Sequence, residues 1–503
     1  MNIANWITQH AAFTPDKAAI RFEGSTLTYA QFDREIQQAT NVLTHQLGVG
    51  HGDRVSILAT NIPEYLVLLF ACARIGAIYN PLNWRLAVDE HLYILHNAES
   101  SVLFVEQEFA QLVSPLQLTL PACQVVGLDF APAGGMQWAD LCAQEGDRKG
   151  TPLRGTMDDP ILLVYTSGTT GYPKGAVLTQ ANLFWNAVNA QHMQNLTSDD
   201  HVLVSLPLFH VGGLNNQTTP AFHCGATVTL HRRFHPDHTL QAFSKDQPTT
   251  TCLVPTMMQA CTQSSLWTST DFSSLHVLLT GSTIIPSHLS DTFREQGVIV
   301  LEMYGSTETC PIAIYQRPDS DFSKRGSTGL PALHCQVRVV DADGYDVPAG
   351  VEGEMLVKGP SVMTAYWRND EATHDVVRDG WYYTGDIGYC DKDGYYYIKD
   401  RKKNMIISGG ENIYAAEVER TLYEHPDIVE CAMIGVPDAK WGEKPVAIIL
   451  ASENTDISVT TMTPFLTGKL ARYKWPRDYI LVDDMPKNAM GKVQHFILRE
   501  QFG

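Results

Sequence analysis

The chain has 503 residues, 44% hydrophobic and 18% charged, a balance that excludes a disordered polymer and allows more than one core. Its 36 Lys and Arg against 55 Asp and Glu leave a net charge of −19. That excess disfavours a nucleic-acid binder, and it disfavours docking on anionic lipid through a broad basic face. Taken in chain order, the first four-fifths alternates apolar strand-like runs with amphipathic stretches, the pattern of α/β layers. "RVSILAT" (54–60) predicts a strand, "PEYLVLLFACARIGA" (63–77) a buried helix and "SVLFVE" (101–106) a second strand. The apolar core of that helix, "YLVLLFACA" (65–73), is too short to span a bilayer and ends at Arg74. A later cycle runs through "HVLLT" (276–280), "PSHLSDTFREQG" (286–297) and "VIVLEMYG" (298–305). From Gln336 the pattern turns to short alternating strands, with Asp343-Gly344 and Asp393-Gly394 as hairpin signals. After "DRKKN" (400–404) come a helix, "AAEVERTLYEHP", and a strand, "VECAMIGV", which predict a compact C-terminal domain of about a hundred residues. No long linker separates it, so the boundary near 400 is expected to be a short hinge. The ten cysteines form no CxxC pair, and "MNIANWITQH" carries no leader, so reduced thiols in a cytoplasm are expected.

"YTSGTTGYPKG" (165–175), directly after "ILLV", is a Gly/Ser/Thr loop ending in lysine. It is not the nucleotide-cleaving P-loop. The spacing is Gly168-x-x-Gly171-x-x-Lys174, and Gly175 stands where a Mg²⁺-binding hydroxyl is required. Hydroxyls of Thr166, Ser167, Thr169, Thr170 and Thr179, exposed amides and Lys174 can nevertheless grip a polyphosphate. Taken alone, the loop is equally a solvent-exposed turn.

Together with further motifs in the same order, this loop resembles that of the adenylate-forming enzymes, the superfamily of acyl-CoA synthetases, luciferases and peptide-synthetase adenylation domains. The resemblance covers nearly the whole chain. It implies a large, multi-sheet α/β N-terminal domain (1–400) for ATP and acid, a hinge (401–403) and a small, mobile α+β C-terminal lid (404–503). In "MYGSTET" (303–309), Tyr304 is expected against the adenine beside Gly305, Thr307 on the α-phosphate and Glu308 on Mg²⁺, with Thr170 as a second metal ligand. "TGSTIIP" (280–286) matches the adenine-flanking turn through Gly281 and Ser282, although glycine is commoner at Ser282. Asp386 of "WYYTGDIGY" is expected to accept the ribose hydroxyls, and Arg401 of "DRKKNMIISGGENIY" to contact the ribose. Lys403 falls on the family's hinge position. Lys492 of "MPKNAMGKV" falls on its adenylation lysine, with Lys487 where arginine is usual. His210 of "SLPLFHVGGL" matches a gate histidine.

The implied reaction joins a carboxylic acid to AMP with release of pyrophosphate, then passes the acyl group to a thiol. Between Ser205 and Pro236 there is no Asp or Glu to pair with an α-amine, so an amino acid is disfavoured. Coenzyme A is the expected acceptor, received by Ser408, Gly409 and Gly410, with Trp441 stacking its adenine. Met257 and Met258 suit an adaptable acid pocket or an ordinary core. The general look is nearest to bacterial fatty-acyl-CoA ligases, so a medium- or long-chain fatty acid is the expected acid. Aryl acids (benzoate, cinnamate or succinylbenzoate type), loading of a separate carrier protein and an inactive scaffold are the alternatives. Expected partners are ATP, acid and CoA, with no nucleic acid and no transmembrane segment; peripheral membrane contact and a homo-oligomer are left open. "HRRFHPDH" (231–238) offers His231, His235 and His238, but Pro236 interrupts the helix that a metal site of i, i+4 geometry needs.

Overall fold

The helix predicted over 63–77 forms as Pro63–Ile75, with proline at its first turn and Gly76 in the left-handed conformation at its end. Every residue from Tyr65 to Ile75 is buried. A helix apolar on all sides needs cover on all sides, and here its side chains share one core with strands of two large sheets. This arrangement comes from a computed structural model that describes residues 2–145, 152–166, 173–282, 285–321, 323–324, 326–408, 411–452, 455–467, 469–487 and 492–503.

The first sheet has nine strands in the order Leu330–Pro331, Ile314–Tyr315, Ile299–Tyr304, Val277–Thr280, Thr250–Cys252, His201–Val204, Thr227–Leu230, Ala18–Phe22 and Ser25–Thr28. Its interior pairs are parallel and its edges antiparallel. The second, of eight strands, runs Ala365–Tyr366, Lys174–Thr179, Pro160–Thr166, Ile78–Pro81, Arg54–Leu58, Val102–Val105, Gln124–Gly127 and Met136–Gln137. Parallel strands buried on both faces read as the continuous apolar runs seen in the sequence.

A third, antiparallel sheet begins at Gln336–Val340 and ends with the hairpin of Trp381–Cys390 and Tyr396–Arg401. Both Asp-Gly pairs sit in its turns, with Gly344 at φ +86° and Gly394 at φ +89°. The fourth sheet joins Glu411–Ile413, Ile406–Ser408, Gly442–Ala451 and Ile428–Asp438, with Asp478–Leu481 added in parallel. Helix Ala415–Leu422 packs into its apolar cluster. Only Lys402–Asn404, a single 3₁₀ turn, lies between the last strand of the third sheet and Met405, which leads into the fourth. No helix among the described residues is long and apolar enough to cross a membrane, and all ten cysteines are free thiols.

Candidate active site

Parallel strands deliver their loops at one edge, beyond their carboxyl ends, where α/β sheets hold ligands. Val277–Thr280 and Ile299–Tyr304 lie side by side with Thr280 opposite Glu302, so Gly281-Ser282 and Gly305 emerge together. Ser282 has φ +72°, a conformation that favours glycine, which accounts for glycine being the commoner residue there. At Gly305 a Cβ would lie 1.4 Å from the Pro311 carbonyl oxygen, so no other residue fits. The chain then tightens into the 3₁₀ turn Thr307–Thr309, and both Thr307 and Glu308 are buried.

Glu308 is held by a partner remote in sequence. Tyr366 Oη donates to Glu308 Oε1 at 2.7 Å, and the Met363 amide donates to the Glu308 carbonyl at 2.7 Å. Tyr366 sits on the edge strand beside Lys174–Thr179, and Lys174 Nζ lies 5.5 Å over its ring. Thr166 faces Lys174 across the adjoining strand pair. Ser167, Gly168, Thr169, Thr170 and Gly171 lie outside the described residues.

On the third sheet, Asp386 and Arg401 are cross-strand partners. Arg401 Nε is 2.5 Å from Asp386 Oδ1, and Tyr304 Oη donates to Oδ2 at 2.6 Å. Asp386 holds the guanidinium of Arg401 well above its ordinary range. Tyr304, expected only as a platform for adenine, is thus also a ligand of the expected ribose carboxylate. Lys492 arrives from the far end of the chain close enough to feel Arg401, Asp386 and Lys403. Burial lowers its pKa first, the charges of Arg401 and Lys403 lower it further, and Asp386 and Asp400 oppose them. A cleft of about 440 Å³ gathers Thr166, Lys174, Glu308, Tyr366, Arg401 and Lys403 in its lining. Its lining mixes the cations Lys174, Arg378, Arg401, Lys402 and Lys403 with the carboxylates Glu308, Asp341, Asp343, Glu354 and Asp375.

His210 leads the short helix Val211–Gly213, and its Nδ1 accepts the Gly212 amide at 2.9 Å. Burial pushes its pKa down to about 4, so near neutrality the ring is uncharged and its proton sits on Nε2. Elsewhere, among the described residues, Ser205 Oγ, Asn216 Oδ1 and Thr280 Oγ1 are buried with no hydrogen-bond partner. Each such atom costs about 1–3 kcal/mol unless a ligand or water meets it. Met258 is fully buried in a core cluster, which removes it from the candidate acid pocket, whereas Met257 is half-buried between two clusters.

Across the fourth sheet Ser408 pairs with Gly442, which sets the Trp441 turn beside it; Gly409 and Gly410 lie outside the described residues. Arg477 and Lys440 stand over the Trp441 ring at 4.3 and 4.7 Å. Pro236 opens the helix Pro236–Lys245, so His231 and His235 precede it. Sequence reasoning missed Tyr366 and Asp400. No motif marks Tyr366, and its partner Glu308 is 58 residues away. Asp400 accepts the Arg401 amide at 2.6 Å and the Ala416 amide at 2.9 Å, tying the end of the third sheet to the helix Ala415–Leu422.

Glu308 offers a hard oxygen donor at the cleft wall, which fits a Mg²⁺ ion shared with substrate phosphates. A cleft that gathers Lys174, Glu308 and Arg401, with Arg401 paired to Asp386, fits the expectation of an adenylate-forming enzyme. The profile of the AMP-binding enzyme family matches residues 7–367, and that of the AMP-binding enzyme C-terminal domain matches 417–492. The chain belongs to that family, as an AMP-forming acid–thiol ligase. It is 45% identical to an indoleacetate–CoA ligase of Aromatoleum aromaticum over 500 residues, covering 99% of this chain and 98% of that one. A feruloyl-CoA synthase of Amycolatopsis is 39% identical, covering 100% and 99%. Among solved structures, the anthranilate CoA ligase AuaEII in complex with anthranoyl-AMP superposes with a TM-score of 0.92 at 29% identity, covering 100% of this chain and 97% of that one.

Proposed function

We propose that the protein activates an aryl or arylalkyl carboxylic acid: acid and ATP give acyl-AMP and pyrophosphate, and acyl-AMP and CoA then give acyl-CoA and AMP. What supports the reading is that Lys492 is buried within electrostatic range of the Asp386–Arg401 pair. Two anions, the carboxylate and the α-phosphate, must approach in line, and their repulsion is the main barrier. A buried ammonium with a lowered pKa among other cations gains most when those anions arrive. Lys492 serves as a point charge and not as a base.

The other roles follow from position. The 166–174 loop holds the β- and γ-phosphates and Thr307 the α-phosphate. Tyr304 and the Gly281-Ser282 turn flank the adenine. Asp386 has both oxygens already engaged, yet each keeps a second lone pair for a ribose hydroxyl. Mg²⁺, held by Glu308, would neutralise phosphate charge. Residues 1–400 form the body, 401–403 the hinge and 404–503 the lid, which rotates about Lys403 between the two half-reactions. Neutral His210 then moves aside for the thiol, and Ser408, the glycines after it and Trp441 receive CoA. The expectation of a medium- or long-chain fatty acid has less support than its aryl alternative, because the indoleacetate and feruloyl relatives each match nearly the full chain. A reducing, cytoplasmic setting suits the ten free thiols.

The test is acid-dependent exchange of pyrophosphate into ATP across indoleacetate, ferulate, benzoate, 2-succinylbenzoate, octanoate and palmitate, followed by thiol consumption with CoA. Exchange with one or more aryl acids and CoA consumption is expected; preference for palmitate overturns the aryl assignment. Lys492→Ala should lower exchange by roughly 10²–10³-fold, the usual cost of one charge-stabilising group. It should leave thioester formation from supplied acyl-AMP within about twofold. Equal loss of both halves rules out this role for Lys492.

A further inference from the structure

Lys492 adjoins an antiparallel bridge whose two roots are tied down inside the lid. Lys487 and Val493 face each other in an antiparallel bridge, and the Gln494 amide donates to the Pro486 carbonyl at 2.8 Å. Lys492 therefore stands one residue before the closing pair. Met485 and Val493 seat the roots in an apolar cluster with Ala432, Ile434 and Leu498. Two ion pairs then fix them laterally. Lys487 Nζ is 2.5 Å from Glu430 Oε1 on the strand Ile428–Asp438. His495 Nε2 is 2.7 Å from Glu419 Oε1 on the helix Ala415–Leu422, and that oxygen also accepts the Met433 amide at 2.7 Å. Glu419 is buried, so the second pair is shielded from solvent screening.

The first pair is incomplete. Among the described residues, Glu430 Oε2 is buried with no hydrogen-bond partner, and the Lys487 ammonium serves the other carboxylate oxygen. A guanidinium presents two parallel donors and can serve both.

We infer that Lys487 and His495 are positioning residues for Lys492. They lock that bridge to the lid's own sheet and helix, so that Lys492 moves only as the lid moves. Both act on acyl-adenylate formation and not on thioester formation, since only the first step needs the ammonium in the cleft. The inference rests on the role given to Lys492 above.

The two half-reactions of the full-length enzyme separate the possibilities: pyrophosphate exchange with an accepted acid, and thioester formation from synthetic acyl-AMP and CoA. Lys487→Ala and His495→Ala are expected to lower the kcat of exchange roughly ten- to a hundredfold, as a misplacement of about an ångström does, with thioester formation kept within about twofold. Lys487→Arg is expected to restore exchange to the wild-type rate or above. His495→Gln, which keeps an N–H donor toward Glu419, should recover part of the loss; these two conservative variants also answer the question if an alanine variant fails to fold. Equal loss in both half-reactions, no loss in either, or Lys487→Arg no better than Lys487→Ala overturns the inference. If Lys492→Ala keeps exchange, the reading of Lys492 itself fails. If Lys492→Ala loses exchange while Lys487→Ala and His495→Ala retain it, only the positioning role falls.

Discussion

Asp386 is gripped from both sides, by Arg401 at one oxygen and by the Tyr304 hydroxyl at the other. A hydrogen bond to a charged group is worth about 1.5–3 kcal/mol. Tyr304→Phe keeps the ring and removes only that donor, so the KM for ATP should rise roughly tenfold or more. Initial rates over an ATP titration check this, and an unchanged KM would show that the hydroxyl does not orient Asp386 for the ribose. Each of these three residues stands out in a sequence motif. Their mutual contacts do not, because Tyr304 and Asp386 are 82 positions apart and meet only when two different sheets abut.

Among the local elements, the strands and helices follow their apolar periodicity closely. The helix expected over 286–297 forms as Ser287–Arg294, and Gly297 then turns at φ +84°. Periodicity fails after His210, where "VGGLNNQTTP" coils into a short α-turn and then the wide turn Leu214–Thr218. Its polar residues Asn215 to Thr219 are all buried, contrary to what composition suggests. Buried amides of this kind need partners from other elements, as Asn186 Nδ2 supplies to the Asn215 carbonyl at 2.7 Å, and such partners carry no sequence signal. The left-handed turn at Ser282 offers a test at this scale. Left-handed backbone costs a non-glycine residue about 1–2 kcal/mol, part of which glycine returns through a more flexible unfolded chain. Ser282→Gly should therefore raise stability by up to about 1 kcal/mol, seen as a higher melting midpoint. A lower midpoint would mean that the serine side chain more than repays its strain.

At the scale of the whole molecule, the proposed hinge is the few residues between its third and fourth sheets. Lys402 and Lys403 lie in a 3₁₀ turn, and a proline disfavours the helical region for the residue before it. Lys403→Pro should thus disfavour the lid pose described here, lowering pyrophosphate exchange while sparing thioester formation from supplied acyl-AMP. Equal loss of both would remove Lys403 from the hinge. Asp400 reports on the same junction through pH. Burial, and then repulsion from Glu419, raise its pKa from 3.8 to about 6 against the Arg401 and Ala416 amides that favour its charge. A carboxyl whose folded pKa lies above its unfolded value stabilises the fold below the unfolded pKa, and that contribution is lost as pH rises through about 6. Asp400→Asn does not titrate, so its stability relative to wild type should improve between pH 4 and 7 by on the order of 2–3 kcal/mol. Denaturant melts at the two pH values measure it, and a pH-independent difference would mean that Asp400 is an ordinary carboxylate.

Ordered motifs and apolar periodicity were enough to specify an adenylate-forming α/β body followed by a small α+β domain, because both are local properties of the chain. Tertiary structure alone decided which side chains meet. Tyr366 reaches Glu308 because a two-residue edge strand pairs beside Lys174–Thr179, nearly two hundred positions upstream. Lys492 comes within electrostatic range of Asp386, more than a hundred positions before it, only through the packing of the C-terminal residues. Met258 belongs to a core and not to a pocket because neighbouring helices close over it. Each of these depends on sheet order and lid pose, which are set by burial summed over the whole chain and leave no mark on any short stretch of it.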